Sequence, residues 1–420
     1  MQERNKKNPE RSIEVSGLTE NRPAYSRLFA YDKRFEYLDT DDRYYLARPR
    51  VRAKIAVIGL GVNGRGHIAN VLTEGRGEIG GIYDPHEPSV KAALRMHEEF
   101  AGTENVRVYS SLEDAVGDDA IDAYIIATPN YRHLEELRAV IGSGKPVFLE
   151  KPMASTVEDA WAIRNLVREH NALVHVGLQY RFKSMYVEAI NELLTLRSIG
   201  TLRTLSITEH RIPFLDKVGQ WNKFSTYSGG TLVEKCCHYF DLFNLFAGVK
   251  PVRVIGSGSQ AVNYEDFDYH GVEADILDNA SVIVEYENGI RATFDLCMFA
   301  PMFFEELVVC GDGGRFRTYE QEDFTGSDSF RSSVEVYRGE RGPTRIGEPK
   351  YPYAIRELGH SGADFFAQSK FVDFIIDNST EVPGVEEGFW SVVVGAAAEE
   401  AVRTGMPVDV DAFMKQHGVV

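Results

Sequence analysis

From Val51 onward the chain alternates short apolar runs with longer amphipathic stretches. Lys54–Ile58, Ile79–Tyr83, Val106–Tyr109, Ala123–Ala127 and Val147–Leu149 are rich in β-branched and other apolar residues, the pattern of strands buried on both faces. Between them, Ser89–Phe100 and Arg132–Gly142 read as helices, the second ending at a glycine in the C′ position. A helix over Thr156–Glu169 and a strand over Leu173–Gly177 continue the series. Strand–helix repetition of this kind predicts a parallel, doubly wound sheet.

Beyond Phe182 the rhythm changes. After a helix, β-rich runs follow at Leu202–Ile207, Val252–Ile255, Ala280–Glu285, Ile290–Leu296, Glu306–Cys310 and Arg315–Tyr319, with Asn288–Gly289 marking a hairpin between two of them. Helices over Ala363–Ile376 and Glu386–Thr404 close the chain. The predicted class is α/β: a Rossmann domain over 51–177, then an α+β domain over 178–420 with a large, mostly antiparallel, open-faced sheet. Such a face needs a cover, and a second subunit is the commonest one, so a homo-oligomer (dimer or tetramer) is expected. Residues 1–50 begin polar but then carry Tyr25, Phe29, Tyr31, Phe35, Tyr37, Tyr44 and Tyr45. That aromatic content predicts an arm packed on its own domains or on a neighbouring subunit.

Composition narrows the function. The 420 residues are 43% hydrophobic and 26% charged, ordinary for a soluble globular protein. A net charge of −17 argues against nucleic acid or an anionic membrane as the main partner. No run approaches the ~20 apolar residues needed to cross a bilayer, and the start MQERNKKNPERS has no apolar region of a secretory signal. The four cysteines, Cys236, Cys237, Cys297 and Cys310, form no CxxC pair, so a reducing cytoplasm is expected.

The chemistry starts at Lys54–Gly66, KIAVIGLGVNGRG. Gly59, Gly61 and Gly64 stand in G-x-G-x-x-G spacing, with Val62 and Asn63 inside the turn, after a predicted strand and before a helical segment (His67–Leu72). The first glycine serves the tight turn, the second admits a pyrophosphate to the backbone, and the third lets helix pack on strand. Asp84 follows about 20 residues later at the end of the second strand, where an acid binds the adenosine ribose hydroxyls. It would repel a 2′-phosphate, so NAD is expected rather than NADP. Ligands of such sheets bind beyond the carboxyl ends of the strands, which adds Thr128, Pro129 and Asn130, and the loop Glu150–Pro152.

Six motifs occur in a fixed order: VIGLGVNGRGH, IYDP, YIIATPN with His133 shortly after, FLEKPM, GLQYRF and GGTLVEKCCHYFD. Together they resemble the Gfo/Idh/MocA family, the glucose–fructose oxidoreductase and inositol dehydrogenase group, over roughly residues 51–405. The resemblance implies an NAD(P)-binding Rossmann domain and a C-terminal sheet that mediates oligomerisation. It places Lys151 beside the nicotinamide and the reacting hydroxyl, adds Glu150 and Gln179 to the cofactor-binding set, and makes Tyr180, Arg181 and Asp241 substrate-site candidates. A lysine beside a buried cofactor loses pKa by desolvation and serves as acid, base or orienter. The family pattern G-G-x-L-x-D-x-G-x-H-x-x-D is met by His238 and Asp241, while Glu234 replaces the usual Asp and Cys236 the usual Gly. On a helix running from Thr231, Glu234 and His238 lie four positions apart on one face. The carboxylate would then orient the imidazole and raise its basicity as a base for the hydroxyl proton. Glu234, Cys237 and His238 are metal-ligand types, but the spacing lacks a second histidine, so no metal is expected.

The segment Thr208–Lys223 is cationic in an acidic chain. Arg211, Lys217 and Trp221, with Lys235 downstream, predict recognition of an anionic or highly hydroxylated sugar. His360, in the turn GHSGAD, opens a helix and is a further substrate-site candidate. The leading reading is an NAD-dependent oxidoreductase acting on a secondary hydroxyl of a sugar or polyol. The alternative is an NAD-dependent glycosidase working by transient oxidation, elimination, hydration and re-reduction. A non-catalytic NAD-binding sensor is disfavoured by the intact set of Lys151, Glu234 and His238.

Overall fold

The structure, a computed structural model, describes residues 53–102, 106–322, 330–339, 342–377, 379 and 381–419. The aromatic arm expected within residues 1–50 lies outside the described residues. Strands β1 (Ala53–Ile58), β2 (Gly77–Tyr83), β3 (Arg107–Val108), β4 (Ala123–Ile126), β5 (Val147–Leu149) and β6 (Val174–Val176) form one sheet in the order β3-β2-β1-β4-β5-β6. Every pairing is parallel. Ile55, Val57, Ile125 and Phe148 pack into one buried cluster and Ala56, Ile58, Tyr124 and Ile126 into another. Burial on both faces is why these strands read as unbroken apolar runs. Chain order reverses between β1 and β4, so a crevice opens at the carboxyl ends of those strands.

The helix Val62–Glu74 packs on one face together with Ala363–Asp377, which returns from the far end of the chain and contributes Phe371 and Phe374 to the core under β1. Val176 N also donates to Pro383 O at 2.8 Å, tying the last strand to the C-terminal part of the chain. Contacts thus join residues 52–420 into one compact unit.

The second sheet has nine strands. They are β7 (Leu202–His210), β8 (Pro251–Ser259), β11 (Asn279–Tyr286), β12 (Arg291–Cys297), β13 (Phe304–Gly311), β14 (Gly314–Glu322), β15 (Phe330–Tyr337), β16 (Pro343–Gly347) and β17 (Val408–Asp409), with a small ribbon of β9 (Asp268–Tyr269) and β10 (Val272–Glu273) between. The order is β16-β15-β14-β13-β7-β12-β11-β8-β17, antiparallel except where β7 meets β12. The Asn288–Gly289 hairpin forms as predicted, with Gly289 at φ +82°. Ala280, Val282 and Val284 turn inward while Ser281 and Ile283 face out, and β12 alternates in the same way. The inward face is covered by Cys237–Ala247 and Val385–Thr404. The outward positions of β11 and β12 stay exposed, Ile283 at 37% among them. Among the described residues no helix is long and apolar enough to cross a membrane.

Candidate active site

The glycine turn between β1 and Val62–Glu74 is built by close contacts. Gly59 sits at φ +88°, and a Cβ there would lie 2.6 Å from the Ala127 carbonyl carbon. A Cβ on Gly64 would lie 1.9 Å from Gly59 O. Gly61 differs: a Cβ there would meet nothing within 4 Å. It caps Val62–Glu74 without a side-chain bond, and the first turn carries no acid, which leaves the helix N-terminus to an anion. Asp84 Oδ2 accepts from Leu60 N at 2.7 Å and Oδ1 from His86 N at 2.7 Å. These bonds fix the carboxylate at the crevice and leave each oxygen a further lone pair for a ribose hydroxyl. Gly59, Gly61, Val62, Asn63, Asp84, Thr128, Pro129, Asn130, Glu150 and Lys151 all line one cavity of about 850 Å³, together with Lys217 and Trp221. An open cradle at Gly61, an uncapped helix start and a fixed acid fit a dinucleotide.

Two buried hydrogen-bonded links stiffen the loops. His133 has Nδ1 3.0 Å from Pro152 O and Nε2 3.0 Å from Thr128 O; burial holds it neutral, so it donates to one of them at a time. Glu150 Oε1 lies 2.9 Å from His67 Nε2, and Oε2 accepts from Lys151 N at 3.0 Å. Burial pushes the Glu150 carboxyl up, but its bond to His67 and the charges of His67 and Lys151 together outweigh this and hold it below its ordinary value. Its carboxylate therefore anchors the loop from behind.

Lys151 departs from the expectation of a lowered pKa. Its Nζ donates to Glu234 O at 3.2 Å. Burial works to neutralise it, but the charges of Glu234 and Glu150 win and hold the ammonium above its usual range. Lys151 is a fixed cation.

The Glu234–His238 pairing also departs from expectation. The helix begun at Thr231 stops at Glu234, and a new one starts at Cys237. The Glu234 carbonyl accepts instead from Lys151 Nζ and, at 3.7 Å, from Cys237 Sγ. Among the described residues no hydrogen bond joins the Glu234 carboxylate to the His238 ring. Glu234 Oε1 accepts from Lys217 Nζ at 3.1 Å. Burial raises the Glu234 pKa, but the charges of Lys151 and Lys217 bring it down to about 2. His238 is 1% exposed, and both its ring nitrogens lack a hydrogen-bond partner among the described residues. Its ring stacks on Tyr180 at 4.1 Å and 7°. Burial first, then the charges of Lys151 and Lys235, push its pKa well below the usual value. His238 is thus neutral with nitrogens to offer, although its basicity is lowered and not raised.

The substrate-site candidates divide. Lys217 lies 4.5 Å over the Trp221 ring at the cofactor cavity. Gln179 lies 3.4 Å from His360, whose ring is 5.6 Å from Tyr180 and 6.2 Å from His238. Lys235 Nζ donates to Tyr180 Oη at 2.5 Å and lies 3.0 Å from Glu209 Oε1. Arg211 spends Nε on Ile212 O at 3.0 Å and has Nη1 3.6 Å from Glu209. Arg181 and Asp241 do not join this group as expected. They form a two-pronged ion pair at 2.7 and 2.6 Å, and both line a separate cavity of about 380 Å³ with Trp390.

Sequence reasoning missed Arg65, His86, Tyr131 and Tyr227, which line the cofactor cavity. It also missed three buried acids. Glu209, Glu305 and Glu320 are direct neighbours across β7, β13 and β14, each 0% exposed. Lys183 Nζ lies 2.9 Å from both Glu305 and Glu320. Glu209 falls in phase with the buried Leu205 and Ile207, and Glu305 with Leu307 and Val309. An acid in the inward phase of an alternating strand was the available signal.

The doubly wound sheet, the glycine cradle and the attached open sheet define a dinucleotide-dependent oxidoreductase of two-part architecture. Residues 53–178 match the model of the oxidoreductase family with an NAD-binding Rossmann fold, and residues 191–410 match that family's C-terminal alpha/beta domain. The chain belongs to the Gfo/Idh/MocA family, and NAD is its cofactor. It is similar to inositol 2-dehydrogenase of Rhodococcus jostii (strain RHA1), with 30% identity over 372 residues, 85% of this chain and 92% of that one. It is also similar to scyllo-inositol 2-dehydrogenase (NAD(+)) of Bacillus subtilis (strain 168), with 24% identity over 364 residues, 86% of this chain and 97% of that one. In fold it is like scyllo-inositol dehydrogenase from Lactobacillus casei with bound NAD(H) and scyllo-inositol, at TM-score 0.67, 21% identity, 86% of this chain and 100% of that one.

Proposed function

We propose that this protein is an NAD-dependent dehydrogenase that oxidises a secondary hydroxyl of a neutral polyol or sugar, of the kind represented by the inositols. The observation that carries the reading is a neutral, buried imidazole with two unpartnered nitrogens, His238, close enough to the fixed cation Lys151 to feel its charge. Lys151 would donate to the substrate oxygen and stabilise negative charge as it develops there. His238 would accept the hydroxyl proton. Bound NAD supplies the electron-pair acceptor. Glu234, ionised, would hold Lys217 against the substrate side of the cavity and leave its second oxygen for a hydroxyl.

A neutral substrate is favoured over an anionic one because the cations of the loop are already engaged. Lys217 meets Glu234, Arg211 meets Glu209, and Lys223 Nζ donates to Phe214 O at 2.9 Å. The inositol dehydrogenases among the relatives support the same choice; the redox-glycosidase alternative gains nothing from them. In this reading residues 51–177 hold the cofactor, and residues 178–420 hold the substrate and pair subunits through the open sheet face.

The test is incubation with NAD and a panel of inositol isomers, neutral sugars and anionic sugars, following NADH absorbance. A neutral polyol reduces NAD, and Lys151→Met and His238→Ala each lower kcat by about 10²–10⁴-fold while NADH still binds. Turnover of anionic sugars alone would refute the substrate class. Undiminished kcat in His238→Ala would refute the proton acceptor.

A further inference from the structure

The turn that carries Glu234 and Lys235 begins on a residue with nothing to cap it. Gly230, at φ +87°, precedes Thr231–Glu234 and makes no side-chain cap bond. The cap comes from another helix. Glu399, in Val385–Thr404, accepts from Leu232 N through Oε1 at 2.8 Å. Two glycines clear its path. A Cβ on Gly230 would lie 2.3 Å from Glu399 Oε1, and a Cβ on Gly395 would lie 2.7 Å from Leu232 O. An ordinary helix pair would put side chains at both positions and hold the turn off; here the turn is drawn onto the helix, and the carboxyl fills the missing N-cap role.

We propose that Glu399 is a positioning residue of the active site, capping from a neighbouring helix the turn that presents Glu234 and Lys235. This rests on the role given to Glu234 above.

The electrostatics add a consequence. Among the described residues no cation pairs with Glu399. The titratable groups that act on it or feel it are Asp275, in the segment leading to β11, and the buried Cys236 thiol at the other end of the turn. Burial, with Asp275 adding to it, pushes the Glu399 carboxyl up to about 7, against the opposing bond from Leu232 N. Below that pH the cap is a neutral carboxyl; above it the cap is a carboxylate, which binds an N–H at a helix start more strongly. The single Leu232 N–H bond is therefore stronger above neutrality, while the cost of burying the carboxylate lowers the stability of the whole fold over the same range.

The experiment compares wild type with Glu399→Gln and Glu399→Ala. Hydrogen–deuterium exchange of the peptide covering 230–236 is read first, since it needs no substrate. In Glu399→Ala the exchange of this peptide rises at least about fivefold, as loss of a cap implies. In Glu399→Gln, which keeps an acceptor oxygen, protection relative to the intrinsic exchange rate stays near wild type and no longer changes between pH 6 and 8. Unchanged exchange in Glu399→Ala would overturn the cap. With a polyol substrate, kcat of Glu399→Ala falls about fivefold while NADH affinity is kept, and the wild-type inflection of kcat near neutrality disappears in Glu399→Gln. An unchanged kcat beside raised exchange would overturn the positioning role and leave a purely structural cap. If wild type turns over no polyol, the proposed function fails, and the exchange arm still decides the cap.

Discussion

Gly61→Ala separates the cofactor cradle from the fold. Gly61 has φ −63° and ψ −162°, an extended conformation open to alanine. With nothing within 4 Å of the new methyl, the substitution touches no packing. Loss of unfolded-chain entropy adds about 0.4–1 kcal/mol of stability, and alanine is a poorer N-cap than glycine by a comparable amount. The two nearly cancel, so the melting temperature without cofactor should move by no more than about 3 °C. The methyl would, however, stand in the opening that a pyrophosphate must enter to reach the first-turn N–H groups. Losing two charge-assisted hydrogen bonds at about 1.5 kcal/mol each weakens NADH binding by roughly a hundredfold. Gly64→Ala is the contrasting control: its methyl would sit 1.9 Å from Gly59 O, where only backbone can give way. It should cost about 3 kcal/mol even without ligand. Fluorescence titration with NADH and thermal melts of the cofactor-free variants measure both quantities. NADH binding at wild-type affinity in Gly61→Ala would refute the placement of the phosphates.

Three further outcomes follow from the charges. Lys183→Met would strand Glu305 and Glu320 together in the sheet, costing about 3–5 kcal/mol; burial already raises the Glu320 carboxyl, so denaturant midpoints should show a smaller loss at pH 5, where it takes up a proton more readily, than at pH 8. Glu234 has a folded pKa of about 2 against 4.5; its stabilisation is present above pH 4.5 and lost toward pH 2, so Glu234→Gln should be less stable than wild type at neutral pH, begin acid unfolding at a higher pH, and lose the difference as pH falls toward 2. Glu399 has the opposite sign, about 7 against 4.5: its contribution is full below pH 4.5 and lost as pH rises through 7, so Glu399→Gln should gain up to about 3 kcal/mol over wild type at pH 8.5, read by chemical denaturation.

What could be read in the sequence was local. β1 and β4 show as unbroken apolar runs because both faces of each are buried, and the glycine turn shows because each glycine answers a steric demand of its immediate neighbours. The Asn288–Gly289 hairpin is equally local. The readings that the structure revises turn on partners that the local pattern does not show. Helical spacing from Thr231 to His238 is sound as a local pattern, yet the Glu234 carbonyl goes to Lys151, 83 residues earlier. Arg181 looked like a substrate ligand until Asp241, 60 residues on, took both prongs of its guanidinium. The loop cations of Thr208–Lys223, read as a sign of an anionic ligand, have acid partners of their own: Lys217 meets Glu234 and Arg211 meets Glu209.

The broken helix reassigns the chemistry as well as the geometry. A lysine buried alone would lose its proton, and a histidine held by a carboxylate would gain one; that pair of inferences makes Lys151 a base and His238 a strengthened one. Moving Glu234 from His238 to the lysines reverses both. The carboxylate now neutralises the desolvation cost of Lys151, which stays charged, and withholds its support from His238, which stays neutral. For the proposed reaction, a fixed cation beside a neutral imidazole is the better division of labour for removing a hydroxyl proton, since one group would stabilise the oxygen anion while the other has a free lone pair for the proton. Had Glu234 stayed on His238, Lys151 would have lost the charge that acts first on its ammonium, and neither group would hold the state its role requires.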